Sequence, residues 1–237
     1  MKGRYDIYRQ RPGETRGSRQ TFEIETPAGA TLLEIFHAIQ ADVDPSFAYR
    51  YSCRGAICGS CAVRINGVAG LACKTQALPL AEKGVVVVDP LTNLPTIKDL
   101  VADFTAFWEA YDKVRPHLER QHEQHDDRLT WRDKLSAKHL DQLSRAVDCI
   151  KCAACLSDCP KRKLMPEYIG PQACVQLYKF YFDPRDAAHD FRVAEAAAPG
   201  GAVACDSYTN CVKVCPKDVR PLRAINFIKQ DLASRSK

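Results

Sequence analysis

Twelve cysteines dominate the chemistry this chain can do, and they are not scattered. Four lie between residues 53 and 73, four between 149 and 159, three between 205 and 215, and Cys174 stands apart. Short spacers let one tight loop aim several thiolates at one centre, which is metal-ligand spacing. The first group reads Cys53-x4-Cys58-x2-Cys61, with Cys73 following after eleven residues, the plant-type [2Fe–2S] pattern. The residues between them, Arg54-Gly55-Ala56-Ile57 and Gly59-Ser60, are small and glycine-punctuated. A backbone of that kind can curl round a cluster and point N–H groups at its sulfurs. Each such donor favours the more negative reduced state and raises the potential. The competing reading is a structural zinc knot, which would lack visible absorption and any paramagnetic signal on reduction.

The second and third groups read as one unit. Cys149-x2-Cys152-x2-Cys155-x3-Cys159-Pro160 is a complete bacterial-ferredoxin run, in which the fourth cysteine ligates the other cluster. Cys205-x5-Cys211-x3-Cys215-Pro216 is its partner, with the middle cysteine missing and Tyr208 in its place. Exchanging the fourth ligands gives Cys149, Cys152, Cys155 and Cys215 to a [4Fe–4S] centre. Cys159, Cys205 and Cys211 then supply only three thiolates, which favours [3Fe–4S]. A non-cysteine ligand at Tyr208, or a hydroxide, would instead keep that site [4Fe–4S], and the oxidised-state EPR spectrum separates the two. Cys174 sits beside Val175 and Leu177 on a helical stretch and reads as a buried thiol acting as a small apolar residue, with a ligand role as the competing assignment. On this reading eleven of the twelve cysteines are ligands, and three clusters stand in series.

The remaining residues must position these thiols. The chain has 237 residues, 46% hydrophobic and 27% charged, enough for two ordinary domains. No apolar run approaches the roughly 18 residues that cross a bilayer; the longest strand-like run is Val85-Val86-Val87-Val88. The N-terminal residues lack the pattern of a secretory or transit signal, so the expectation is a cytosolic chain with at most peripheral membrane contact. Without export, a disulfide framework is disfavoured. A net charge of +5 with no aromatic-rich basic strand argues against nucleic acid as a partner.

Residues 4–9 and 21–26 alternate as strands, and Thr31-Leu32-Leu33-Glu34 is a capping box opening a helix. That helix has the apolar stripe Leu32, Ile35, Phe36, Ile39 and Val43. A hairpin is expected over 62–66 and 71–73 around Gly67, and a strand over 85–89. From Ile97 the period changes, with Leu100, Phe104, Phe107, Trp108, Tyr111 and Val114 on one helical face. Asn93-Leu94-Pro95 is the expected joint. Further helices are expected over 140–147, 172–182, 186–198 and 222–232, with Pro171 and Pro221 in first turns and Pro199-Gly200-Gly201 as a stop. This gives an α+β chain: a [2Fe–2S] domain over 1–96 and a helical domain over 97–237.

With these residues in place, the chain resembles the iron–sulfur subunit of succinate dehydrogenase and fumarate reductase over residues 5–229. The most specific pieces are Ser52-Cys53-Arg54-Gly55-Ala56-Ile57-Cys58-Gly59-Ser60-Cys61, Asn66-Gly67 and Leu71-Ala72-Cys73-Lys74-Thr75. Tyr168-Ile169-Gly170-Pro171, Asp183-Pro184-Arg185-Asp186 and Val214-Cys215-Pro216-Lys217 add to them. The resemblance implies a β-grasp ferredoxin domain followed by an α-helical bacterial-ferredoxin-like domain. It implies docking on a flavoprotein subunit carrying covalent FAD, and electrons passing FAD, [2Fe–2S], [4Fe–4S], [3Fe–4S] and then quinone at a transmembrane cytochrome b-type anchor. The chain would sit peripherally on the cytoplasmic side of the inner membrane. Pro160, Leu164, Asp206 and Tyr208 are the positions it puts near the quinone. There the chain departs from many members: no tryptophan follows Pro160, where Lys161, Arg162, Lys163 and Leu164 stand instead, and Asp206 replaces a frequent histidine. The pattern is closer to members paired with a di-haem anchor. A soluble fumarate reductase subunit and a free-standing ferredoxin-like carrier are the rival readings; the 45 residues between Cys159 and Cys205 exceed what two clusters need and argue against the carrier.

Weaker signals remain. Lys161, Arg162, Lys163, Lys213, Lys217, Arg220 and Arg223 form either a basic collar against an anionic membrane face or a solvated surface. His117, His122 and His125 read as surface residues before they read as metal ligands. Arg54 and Lys74 flank [2Fe–2S] ligands, where they raise its potential or pair with the flavoprotein.

Overall fold

The computed structural model describes residues 1–120 and 135–235. It divides into two compact units, Met1–Phe104 with Ile150–Asp158, and Thr105–Cys149 with Cys159–Lys237.

The first unit is built on β1 (Lys2–Arg9), β2 (Ser18–Glu25), β3 (Ala62–Ile65), β4 (Val68–Leu71) and β5 (Val86–Asp89), in the order β2-β1-β5-β3-β4. β1 runs antiparallel to β2 and parallel to β5, so Tyr5 sits between Phe22 and Val86. Alternation puts Tyr5, Ile7, Phe22, Ile24, Val86 and Val88 inside, with α1 (Leu32–Ala38) contributing Leu32, Leu33, Ile35 and Phe36 to the core. Tyr5 buries its hydroxyl at no loss because Thr26 Oγ1 lies 2.7 Å away. The capping box forms as the spacing requires: Thr31 accepts from the Glu34 N–H, and Glu34 accepts from the Thr31 N–H at 2.7 Å. After Ala38 the helix widens into a π-turn over Ile39–Val43. The wider turn rotates Val43 out of the stripe to 54% exposure, against the sequence expectation. Asn66 and Gly67 both take positive φ, +49° and +83°, as a two-residue hairpin turn demands.

The helix expected from Ile97 begins only at Thr105. Thr96–Lys98 (β6) and Val101–Ala102 (β7) pair as a small hairpin turning at Asp99, whose φ is +48°. Long-range hydrogen bonding overrides the local period here. The Asp99 carboxylate is 2% exposed and accepts from the Gln10 N–H (3.0 Å), the Ala48 N–H (2.9 Å) and Arg9 Nε (3.1 Å). Arg9 also donates to Asp44 at 2.6 Å, and the Ser46 hydroxyl together with Arg9 holds the Asp44 carboxyl down at about 2.

The second unit contains α2 (Thr105–Lys113), α3 (Ala137–Val147), α4 (Gly170–Tyr181), α5 (His189–Ala197) and α6 (Pro221–Arg235). Residues 170–178 of α4 are buried on every side, and the other four helices pack around them. Phe107 and Val114 face inward as expected, but Trp108 is 43% exposed and does not join that face. Arg192 on α5 is wholly buried. Its guanidinium reaches Asp186 Oδ2 (3.1 Å) and donates to the carbonyls of Val114 (2.5 Å), Arg115 (2.6 Å) and His117 (2.9 Å), bolting the end of α2 to α5. His117 is exposed; His122 and His125 lie outside the described residues. The architecture is α+β, a unit built on a five-stranded sheet and a helical one.

Candidate iron–sulfur centres

The loop carrying Cys53, Cys58 and Cys61 takes left-handed backbone at Arg54 (φ +55°), Ala56 (+58°) and Gly59 (+75°). Repeated reversals of this kind form a nest that turns successive N–H groups inward. Cys53 Sγ accepts from the N–H groups of Cys58 (3.2 Å), Ile57 (3.3 Å) and Gly55 (3.4 Å). The Cys53 N–H donates to Cys58 Sγ (3.4 Å), and the Cys73 N–H, arriving after β4, donates to Cys61 Sγ (3.5 Å). The donors of Cys58, Ile57 and Gly55 pull the Cys53 thiol down to about 6, whereas burial pushes Cys61 up to about 12. Donors aimed at sulfur are what a thiolate-ligated cluster requires, and the loop fits one. Arg54 does not point alone into solvent but lies over the Tyr51 ring, 5.5 Å from its centroid.

These thiols have a consequence for the metal-free chain. Above pH 6 Cys53 is largely thiolate and exposed, so iodoacetamide at pH 7 is expected to label it well ahead of Cys61 and Cys174. The advantage should fade as pH falls through about 6, where Cys53 regains its proton. Peptide mapping of a time course decides it, and equal labelling of Cys53 and Cys61 would contradict the N–H geometry.

The ferredoxin run is shared between the units. Ile150–Asp158, with Cys152 and Cys155, belongs to the first; Cys149 and Cys159 belong to the second, as does Cys215. Lys151 (φ +55°) and Ala153 (+61°) flank Cys152 with left-handed backbone. The segment is seated by side chains that sequence reasoning did not single out. Thr92 Oγ1 donates to the Ser157 carbonyl (2.6 Å), Asn93 Nδ2 donates to the Leu156 carbonyl (2.8 Å), and Arg64 pairs with Asp158. The expected joint residue Asn93 is thus a fastening within the first unit. In the second unit Cys215 Sγ accepts from the Val219 N–H at 3.3 Å.

Cys159, Cys205 and Cys211 are all buried in the second unit. Cys159 is the N-cap of the helical turn Pro160–Leu164. Burial raises its thiol, opposed by the N–H groups of Arg162 and Lys161. Cys205 Sγ accepts from the Ser207 N–H (3.3 Å). Burial, with Cys205 and Cys159 nearby, pushes Cys211 up to about 12. The three thiols lie within electrostatic reach of one another and each has backbone N–H donors, a donor chemistry that fits a three-thiolate cluster. Tyr208 is 39% exposed, and its carbonyl lies 3.8 Å from Cys211 Sγ.

Cys174 is fully buried within electrostatic reach of those three thiols. It shares a hydrogen bond with the Tyr168 hydroxyl at 3.7 Å, a partnership no local sequence signal announces. Lys161 and Asp206, each following a cysteine or its proline, form an ion pair at 3.1 Å. Arg162 donates to the Tyr168 carbonyl at 2.6 Å, Arg220 to Asp218 at 3.0 Å, and Arg223 lies over the Phe227 ring, so Lys161, Arg162, Arg220 and Arg223 of the basic side chains expected at a collar have partners within the fold. Leu164 is 73% exposed. Among the described residues no helix is long and apolar enough to cross a membrane.

Residues 4–109 match the family described as a 2Fe-2S iron-sulfur cluster binding domain, and residues 143–216 match a 4Fe-4S dicluster domain. The chain is 34% identical over 236 residues to the succinate dehydrogenase iron-sulfur subunit of Paracoccus denitrificans, covering 98% of this chain and 88% of that one. Its fold is similar to a chain of the Mycobacterium smegmatis Sdh1 complex in the apo form, with a TM-score of 0.84 at 25% identity, covering 99% of this chain and 96% of that one. A hypothetical protein from Helicobacter pylori shares the fold at a TM-score of 0.57 and 15% identity, over 98% of this chain and 39% of the other. Likeness over the whole length favours a subunit over a free-standing carrier. The chain belongs to the succinate dehydrogenase iron–sulfur subunit family and serves electron transfer within that oxidoreductase complex.

Proposed function

We propose that the chain passes electrons between the FAD of a flavoprotein subunit and quinone at a membrane anchor, by way of three centres. The ligand sets are Cys53, Cys58, Cys61 and Cys73 for [2Fe–2S]; Cys149, Cys152, Cys155 and Cys215 for [4Fe–4S]; and Cys159, Cys205 and Cys211 for [3Fe–4S]. Residues 1–96 would carry the first set and 97–237 the others. Bound there, the clusters supply one-electron carriers. The observation that carries the reading is the pairing of ligand-spaced thiols with backbone donors, at Cys53, Cys58, Cys61, Cys159, Cys205, Cys211 and Cys215.

The chain's own part is to bind, orient and tune. N–H groups aimed at sulfur stabilise thiolate over thiol and favour the added electron. Burial of Cys159, Cys205 and Cys211 keeps water from the third site. Pro160, Leu164, Asp206 and Tyr208 follow these ligands closely in sequence and make up the quinone side, with Leu164 and Tyr208 offering exposed apolar surface. The chain then lies peripherally on the cytoplasmic face of the inner membrane, against a di-haem cytochrome b-type anchor.

Iron and sulfide analysis of the native complex tests the ligand sets, with about nine irons expected in this subunit. A redox titration followed by EPR, with succinate and with a quinol as donors, should resolve three centres. Four irons at the third site, or a complex without haem, would overturn the corresponding part.

A further inference from the structure

Gly59 stands between two ligands of the first proposed centre, Cys58 and Cys61, and its backbone lies against the segment that carries Cys152. A Cβ at Gly59 would stand 2.8 Å from Cys152 Cβ, 2.9 Å from Cys152 Cα and 3.0 Å from the Ile150 carbonyl oxygen. None of these atoms is the free end of a flexible side chain, so one of the two backbones would have to move. Conformation alone does not explain the glycine. Gly13, Gly29, Gly67 and Gly84 also take positive φ, yet a Cβ on any of them would meet nothing within 4 Å. At Gly59 the backbone requirement and the space requirement coincide.

The C-terminal end of the segment is fastened. Thr92 and Asn93 hold the Leu156 and Ser157 carbonyls, Arg64 pairs with Asp158, and the Ala69 N–H donates to Asp158 at 3.4 Å. Ile150–Asp158 therefore cannot lift away from Gly59 without breaking these bonds.

Building on the proposed ligand sets, we infer that Gly59 is a positioning residue for electron transfer between the first and second centres, its missing Cβ letting the ligand loop of one rest directly on Cys152 of the other. In that step one electron leaves the first centre, which is oxidised, and enters the second, which is reduced. No bond forms or breaks and no proton moves, and succinate oxidation supplies the electron. The contact between Gly59 and Cys152 and the hydrogen bonds that hold residues 150–158 all lie within the first compact unit.

The test uses the native complex carrying Gly59→Ala, with Gly29→Ala as a control for left-handed backbone in open space. Two quantities are read: the enhancement of spin relaxation of the first centre when the second is reduced, and the rate at which later centres fill after rapid mixing with succinate. Gly59→Ala is expected to keep the first centre's signal while losing severalfold in relaxation enhancement and in filling rate; Gly29→Ala should match the unaltered complex. Unaltered relaxation and rate in Gly59→Ala would overturn the inference. Should Gly59→Ala not load its cluster, Thr92→Val with Asn93→Ala and Arg64→Met decides, since it removes the side-chain fastenings of residues 156–158 and leaves the ligand loop intact; the same severalfold loss is expected, and wild-type relaxation would again overturn it. Absence of a first-centre signal from the unaltered complex would count instead against the proposed ligand sets.

Discussion

Arg192→Met is expected to destabilise the helical unit by about 3–5 kcal/mol, the range for removing one partner of a buried ion pair. The substitution strands the fully buried Asp186 carboxylate and leaves the carbonyls of Val114, Arg115 and His117 without the donor they share. Lysine should not rescue it, because one ammonium cannot span a carboxylate and three carbonyls as the guanidinium fork does. Pairing Arg192→Met with Asp186→Leu should recover part of the loss, since the stranded charge is gone. The recovery stays partial because Asp186 also accepts from the Glu119 N–H at 3.0 Å. Denaturant unfolding of the full chain measures both. A single variant within 1 kcal/mol of the parent would mean that water reaches Asp186.

Tyr208→Cys is expected to change the metal content itself. It restores the Cys-x2-Cys spacing before Cys211 and offers a fourth thiolate to the proposed set of Cys159, Cys205 and Cys211. The oxidised-state EPR signal of a [3Fe–4S] centre should be lost almost entirely, and iron should rise by about one per chain. Quinone reduction should fall with it, because the last centre's potential drops when a more negative cluster replaces it. Cys174→Ser is the companion: if the Tyr168–Cys174 pair is structural, iron content and the oxidised signal stay as they are. An oxidised signal that survives Tyr208→Cys would show that the vacant corner lies elsewhere. One that vanishes in Cys174→Ser would make Cys174 a ligand.

What the sequence made readable was local. The Thr31–Glu34 capping box and the Asn66-Gly67 turn are short-range patterns, and both have their expected form; the spacing of the first cysteines likewise comes with N–H donors at sulfur. What it hid depends on partners far along the chain. Asp99 breaks the helical period at 97–104 because Arg9, Gln10 and Ala48 surround it. Arg192 looks in sequence like one more surface charge on a helix, and nothing nearby says that its partners are the carbonyls after α2. Tyr168 likewise gives no local sign that it meets Cys174. Trp108 fits an apolar stripe but faces outward, since only the side of α2 bearing Phe107 has core to meet.

The excursion of Ile150–Asp158 into the first unit also limits how this polypeptide can be divided. Severing it after Phe104 would not yield two self-sufficient halves. The carboxy-terminal piece would keep Cys152 and Cys155 on a tether whose anchoring side chains, Arg64, Thr92 and Asn93, had left with the other piece. The amino-terminal piece would in turn uncover the ground beneath Ala154 and Leu156, which are almost fully buried in the intact chain. A module cut from this chain would keep its contacts only if residues 150–158 went with the sheet-based unit.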